Sequence, residues 1–339
     1  VSAALLAILG TALAFLFNPG RIPVTAGQIP PIVISGFWDV LHDIFSIESM
    51  RNPGQEGSIL LFLVVPAFLL GWHFHHDKEI AEPSFNLFDS LSRILYRMNR
   101  YILILMPFFL GILVFHTSYT LRTTVNFQPF MPLLRRLLYL CIIFIAILFP
   151  LALWLLGREK SPLRTLRSLS GVFLGAFISA SMMFNYGNLT LHLKEKLKIQ
   201  RQMAALAAPI HLMLTRGGTA LISAICMITI IRSYSSLEIT FFQAAWTAFF
   251  SFLVSFVLAA APDHGLITSL VILGNLYGRG LENGWSILTP IIPLLIMVCS
   301  LLDTATIILI LILTNKQAGI AADTDLGLYA EGGSVSVRQ

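Results

Sequence analysis

An uncharged hydrophobic run, Ser168–Leu193, has clusters of basic residues on both of its sides. A run of this length without charges is typical of a segment embedded in a membrane, and Lys and Arg concentrate in cytoplasmic loops. The flanking basic residues are Arg158, Lys160, Arg164 and Arg167 before the run and Lys194, Lys196, Lys198 and Arg201 after it. We therefore predict that the segment enters the bilayer and returns to the same side.

The centre of this run contains the polar residues and the glycine that a buried turn needs, from Ser181 to Asn188. Non-helical backbone at membrane depth is tolerated only where it is buried in protein or lines an aqueous cavity. The sequence therefore predicts a polar site enclosed within the bilayer, which is typical of a transporter or a channel.

The composition predicts an all-α polytopic membrane protein of the cytoplasmic membrane. Of its 339 residues, 56% are hydrophobic and 12% are charged, against about 25% charged residues in soluble domains. The net charge of +5 is explained by basic residues in short loops, so no nucleic-acid partner is expected. Three cysteines lie within hydrophobic spans and are interpreted as packed thiols: Cys141, Cys226 and Cys299.

Two further uncharged hydrophobic segments, Ile239–Ala261 and Leu266–Tyr277, flank the sequence Pro262-Asp263-His264-Gly265. Neither outer flank of this pair is rich in basic residues, which indicates a second hairpin that enters from the opposite side. The C-terminal half is therefore predicted to contain, in this order, a hairpin, a helix, a second hairpin and a second helix. Such an inverted repeat places substrate sites near the middle of the membrane, at broken helices.

Four motifs follow one another along the chain: Ser161-Pro162-Leu163-Arg164, the stretch from Pro209 to Leu221, Ala261 to Gly265, and Leu301-Leu302-Asp303. Their order is that of the dicarboxylate/amino acid:cation symporters, the glutamate-transporter-like family, and the chain resembles that family over nearly its whole length. The resemblance implies an elevator-type fold with two oppositely oriented re-entrant hairpins, assembled as a homotrimer.

The resemblance also implies three parts. Residues 1–157 would comprise the scaffold and early transport-domain helices, with the first two family helices absent. Residues 158–316 would form the transport core of two hairpins and two helices, and residues 317–339 a disordered tail.

On this alignment, the substrate-binding residues are Ser181 at the first hairpin tip, Arg216 and Thr219 at a helix break, and Asp303 and Thr306 in the last span. The family motif Asn-Met-Asp-Gly-Thr is here Thr215 to Thr219, and Thr306 stands where an arginine would hold an acidic side chain. Carboxylates expected to bind sodium are replaced by Gly217 and Thr314. At the second tip, Asp263 and His264 are candidates for a gate, with a solvated turn as the alternative.

Asp303 and Arg216 are the residues on which the functional hypothesis depends most. An ionised acid at membrane centre is costly and usually has a partner or a function. Asp303 is therefore predicted to receive a substrate ammonium group or a proton, or else to be a structural charge. Arg216 offers a planar fork for a carboxylate where the family binds cations, or it pairs with Asp303.

These observations predict a secondary transporter for a small amino acid or carboxylate that does not require sodium. The coupling ion, H+ or Na+, stays open, and no cofactor or metal is expected. The partners would be the lipid bilayer, the small substrate and two further copies of the chain. An enzyme is not expected, because Asp303 alone cannot form a two-aspartate protease, but a non-transporting receptor or channel-like descendant of the family is an alternative.

Overall fold

The computed structural model describes residues 2–17, 20–23, 69, 71, 78–124, 127–159, 161–197, 199, 201–235, 239–257 and 265–317. Throughout these ranges the regular structure is helical, with no strand. The helices are α1 Ser2–Phe17, α2 Lys78–Thr124, α3 Met131–Ile143, α4 Phe149–Leu155, α5 Pro162–Ser168, α6 Ser170–Ser179, α7 Met182–Glu195, α8 Arg201–Leu214, α9 Gly217–Tyr234, α10 Phe241–Val257, α11 Gly265–Tyr277 and α12 Ile292–Gln317.

Four helical stretches within the described ranges are long and apolar enough to cross a membrane. They are Ser90–Arg122, Gln128–Leu155, Ala207–Tyr234 and Gly284–Lys316. Shorter apolar helices accompany them, among them α6 of the first predicted hairpin and both arms, α10 and α11, of the second. The prediction of an all-α polytopic membrane protein is therefore confirmed.

The first predicted hairpin is a pair of antiparallel helices, α6 and α7. Its turn is at Ala180, which adopts the left-handed conformation with φ 54°, and Ser181 caps α7 by accepting a hydrogen bond from the Phe184 N–H at 3.2 Å. Across the hairpin, the Asn185 side chain donates to the Val172 carbonyl at 2.9 Å. These bonds satisfy polar groups that the hydrocarbon of a bilayer cannot.

The second pair, α10 and α11, also packs together. Near its base, Gln243 donates to the Tyr277 hydroxyl at 2.9 Å, and the Trp246 ring packs edge-on against Tyr277. The residues that join the two helices, including Asp263 and His264, lie outside the described residues.

The two hairpins have their bases at opposite ends of α12. Lys316, at the C-terminal end of α12, donates to the Gly157 carbonyl and pairs with Glu159, just before the first hairpin. The second hairpin ends at Tyr277 and leads through a short connection into the 3₁₀ turn Gly284–Ile291 that precedes α12. The middle of α12 is therefore the level at which the two hairpins approach each other.

The core is built around α9 and α12. Every residue of α9 from Gly217 to Arg232 is buried, as expected for a helix that is apolar on all sides. It packs against α1, α10, α11 and α12. The crossing predicted at Phe130–Leu156 is α3 and α4 joined by the π-helical turn Phe144–Leu148, next to Pro150, whose ring cannot follow a regular helix.

The long helix α2 lies at the outside of this core. Most of its side chains in the span Ser90–Arg122 are exposed, and its main contacts within the described part of the chain are with the first hairpin. There Asn99 donates to the Gly187 carbonyl at 2.9 Å, and the Lys194 ammonium lies 4.2 Å from the centre of the Tyr96 ring.

Candidate substrate site at a broken helix

The predicted break between α8 and α9 is present and falls at Thr215 and Arg216. Thr215 closes α8 by donating its N–H to the His211 carbonyl at 2.8 Å. Arg216 has φ −109° and ψ 42° and precedes α9 without a capping side-chain hydrogen bond to it. The first N–H groups of a helix have no partner within the helix, so α9 needs an acceptor from elsewhere.

Asp303 supplies that acceptor from α12. Its Oδ1 accepts the Thr219 N–H at 3.0 Å, and its Oδ2 accepts the Thr219 hydroxyl at 2.5 Å. A negative charge at a helix N-terminus is favourable both because of these hydrogen bonds and because of the helix dipole.

Gly218 permits this contact because the backbone of α9 approaches α12 very closely at this position. A Cβ at Gly218 would lie 2.5 Å from Leu302 Cβ and 2.6 Å from the Asp303 backbone nitrogen. The two glycines begin α9 with negative φ values rather than forming the break themselves. Because they have no side chain, they allow the N-terminus of α9 to come within hydrogen-bonding distance of the Asp303 carboxylate.

Arg216 places a positive charge beside this carboxylate. Both residues line the same small cavity, and they are only 2% and 1% exposed. Burial of two opposite charges is tolerated where each also makes hydrogen bonds. The alternative in which Arg216 and Asp303 form a structural pair stays a prediction.

A cavity of about 20 Å³ adjoins the pair, close to the roughly 10–15 Å³ that one water needs. Its wall combines the turn of the first hairpin at Ala180, the start of α9, the start of α11 at Gly265 and one face of α12. Both hairpins and the broken helix therefore meet at one place, as the inverted repeat predicts.

The predicted site residues occupy different positions relative to this cavity. Arg216, Thr219 and Asp303 lie in its wall. Ser181 lies next to it and caps α7, so its hydroxyl already has a partner. Thr306 donates its hydroxyl to the Asp303 carbonyl in its own helix at 2.8 Å. Asp263 and His264 lie outside the described residues.

Ser300 is a wall residue that the sequence reasoning missed. It is 5% exposed, and its hydroxyl has no hydrogen-bond partner among the residues that the structure describes. It lies three residues before Asp303, and residues with this spacing share one face of a helix. That spacing was the signal in the sequence that would have identified it.

A broken helix that faces two hairpins within a multi-pass membrane protein is the architecture of a secondary transporter. The model of the sodium:dicarboxylate symporter family matches residues 1–315, and the chain belongs to that family. No curated protein matches the chain.

Proposed function

We propose that this protein is a secondary active transporter that carries a small carboxylate or amino acid across the cytoplasmic membrane. Membership of a symporter family gives the coarse function. The observation that supports the finer proposal is the cavity where the two hairpins, the start of α9 and the middle of α12 meet around Arg216 and Asp303.

The charges around this cavity favour transport without sodium. Sodium needs several hard oxygen ligands, usually with negative charge nearby. Here Arg216 lies in the cavity wall, and Asp303 is engaged by the N-terminus of α9. A cation bound beside them would be repelled by the guanidinium and by the positive end of the helix dipole.

An elevator movement is supported by the position of α2. This exposed helix would belong to the static scaffold, and the first hairpin, with the core helices around α9 and α12, would form the moving part. The contact between Asn99 and Gly187 would then join the two parts in this conformation. It would have to break whenever the core slides.

Uptake into proteoliposomes tests transport directly. Labelled small carboxylates and amino acids are offered with sodium gradients and proton gradients imposed separately. We expect uptake of at least one compound without sodium. Binding of a compound with no uptake under any gradient would favour the receptor alternative and overturn the proposal.

A disulfide tests the elevator movement. In a chain whose native cysteines are replaced, Asn99→Cys and Gly187→Cys are oxidised together; a Cβ at Gly187 would lie 3.1 Å from Asn99 Cγ, so the pair is close enough to bridge. We expect uptake to fall by at least tenfold on oxidation and to recover on reduction.

The matched control is a pair within the first hairpin, Gly175→Cys with Asn185→Cys. A Cβ at Gly175 would lie 3.3 Å from Asn185 Cγ, but both positions would move together, so oxidation should leave uptake unchanged. Full uptake by the oxidised Asn99 and Gly187 pair would overturn the elevator proposal.

A further inference from the structure

A larger cavity, of about 150 Å³, lies between α1 and α3 and shares no wall residue with the substrate cavity. Aliphatic side chains of α1, α3 and α9 form its wall, together with Tyr139 and Arg136. We propose that this cavity binds one anionic phospholipid of the surrounding bilayer, with part of an acyl chain inside the cavity and the phosphate on Arg136. This inference goes beyond the proposed transport function and does not depend on it.

The wall of this cavity suits a hydrocarbon chain better than water. Leu133, Leu137 and Leu140 of α3 line it together with Ala14 of α1 and Ile225 of α9. A buried water needs two to four polar partners, and these aliphatic side chains offer none. An apolar cavity of about 150 Å³ can hold a molecule of the size of benzene, so about six carbons of an acyl chain would fit, and the rest of the chain would extend into the bilayer.

The cavity opens at the outer surface of the described part of the chain. Tyr139 and Ile143 belong to its wall and are 60% and 46% exposed. Both lie in the helical stretch Gln128–Leu155, which is apolar and long enough to cross a membrane. A lipid chain can therefore enter the cavity directly from the bilayer.

Arg136 provides the polar end of the site. Its side chain is partly buried, and its Nη1 is shielded from solvent and has no hydrogen-bond partner among the described residues. None of the described residues in the cavity wall is acidic. A shielded cationic group without a partner is unfavourable. The phosphate of a lipid would supply both a negative charge and the paired acceptor oxygens that a guanidinium matches.

The position of Arg136 along the cavity matches the orientation of a lipid in a bilayer. The cavity follows α3 from Leu133 to Ile143, a distance of about 15 Å at 1.5 Å per residue. Arg136 lies in the second turn of α3, which begins at Met131, whereas Ile143 lies near the middle of the stretch Gln128–Leu155. The charge is therefore nearer the membrane surface, and the apolar cavity runs from it toward the middle of the bilayer.

The unpaired charge of Arg136 favours a headgroup with a net negative charge. In phosphatidylcholine, the choline cation would lie close to the guanidinium and repel it, whereas phosphatidylglycerol has no such cation. Inorganic phosphate would meet the same guanidinium but would leave the apolar cavity empty. An anionic phospholipid therefore satisfies both parts of the site.

Native mass spectrometry of the full chain in detergent micelles tests this site by counting bound lipids. The probes are phosphatidylglycerol and phosphatidylcholine at increasing concentration, with inorganic phosphate as the anion without a tail. We expect one phosphatidylglycerol to bind at concentrations about tenfold lower than phosphatidylcholine, because hydrogen bonds between two charged groups are the strong ones. An excess of inorganic phosphate should not displace it.

Arg136→Gln tests the contact to the phosphate, with Arg135→Gln as the matched control. Both variants remove one positive charge from the same turn of α3, but Arg135 is exposed and does not belong to the cavity wall. Arg136→Gln should abolish the preference for phosphatidylglycerol, and Arg135→Gln should preserve it, because exposed charges contribute little. The unfolding temperature of Arg136→Gln should match that of the unaltered protein in phosphatidylcholine nanodiscs and fall below it only where phosphatidylglycerol is present.

Ala14→Leu tests the place of the acyl chain. Ala14 is 5% exposed and lies in the cavity wall, so a leucine there would fill part of the cavity. This variant should bind phosphatidylglycerol more weakly than the unaltered protein, although Arg136 is intact.

The opposite results would overturn the inference. Equal affinity for the two lipids, or a preference that survives in Arg136→Gln or is lost equally in Arg135→Gln, would overturn the assignment of Arg136. Undiminished binding by Ala14→Leu would overturn the placement of the acyl chain, and displacement by inorganic phosphate would reduce the site to one for a free anion. A fall in the unfolding temperature of Arg136→Gln that is as large in phosphatidylcholine would assign Arg136 to the fold itself. Absence of any tightly bound lipid would show that the occupant is not a lipid, with a second copy of the chain as the next candidate.

Discussion

The buried pair of Arg216 and Asp303 should behave as one energetic unit, and a double-mutant cycle measures this. Asp303→Asn keeps the shape of the side chain and removes its charge, which leaves the buried Arg216 without its counter-charge. Arg216→Met removes the guanidinium with little loss of volume and leaves Asp303 with the two donors of Thr219. Breaking a buried ion pair from one side typically costs about 3–5 kcal/mol.

The structure indicates which single variant should cost more. Asp303→Asn affects two partners at once, because it weakens the cap of α9 and isolates the charge of Arg216. We expect about 4–5 kcal/mol for this variant and about 2–3 kcal/mol for Arg216→Met, whose remaining carboxylate keeps its hydrogen bonds. The double variant carries no isolated charge, so its cost should be smaller than the sum by about 2–3 kcal/mol.

The assay is equilibrium unfolding in mixed micelles of a mild detergent and dodecyl sulfate, followed by tryptophan fluorescence. A control cycle uses Lys316→Met and Glu159→Gln, an ion pair whose side chains are 35% and 28% exposed. Exposed pairs are worth about 0–1 kcal/mol, so the control coupling should be small. If the cost of the double variant equals the sum of the two single costs to within about 0.5 kcal/mol, the reasoning is refuted, because independent sites are additive in this way.

Three further predictions follow from the fold. Gly218→Ala should lower the free energy of unfolding by about 3 kcal/mol, because its Cβ would meet α12 at 2.5 Å. Chemical denaturation measures this change, and the control is Gly111→Ala, whose Cβ meets nothing within 4 Å. This control should be neutral or stabilising by up to about 1 kcal/mol. Single cysteines at Ser161 and Lys198 should react with a membrane-impermeant reagent from the same side, since the basic flanks predict that both are cytoplasmic, and labelling from opposite sides would contradict the re-entrant hairpin. Ligand affinity should be the same in sodium as in choline at fixed ionic strength, because Arg216 repels a cation at the site, and a gain of tenfold or more from sodium would reject the sodium-independent site.

The sequence by itself determined the class of fold. Continuous apolar runs require helices in a membrane, because hydrocarbon offers no hydrogen bonds to an open backbone. Basic residues on both sides of Ser168–Leu193 indicated a hairpin, and its turn lies at Ala180, beside the polar stretch that marked it. The charge and glycines at Arg216 to Gly218 likewise marked the break between α8 and α9. These features follow from local chemistry and can be read from neighbouring residues.

Only the tertiary structure decided how the polar residues are used. Asp303 binds Thr219 across 84 positions of the chain, and no local pattern reveals that the N-terminus of α9 would take up this carboxylate. For the same reason only the structure shows that the Thr306 hydroxyl donates within its own helix and that Ser300 lines the cavity; the role of Thr306 as a ligand stays a prediction. A hydrogen bond depends on which donor and acceptor meet in space, and in this protein that pairing is set by how α9, α12 and the two hairpins pack together.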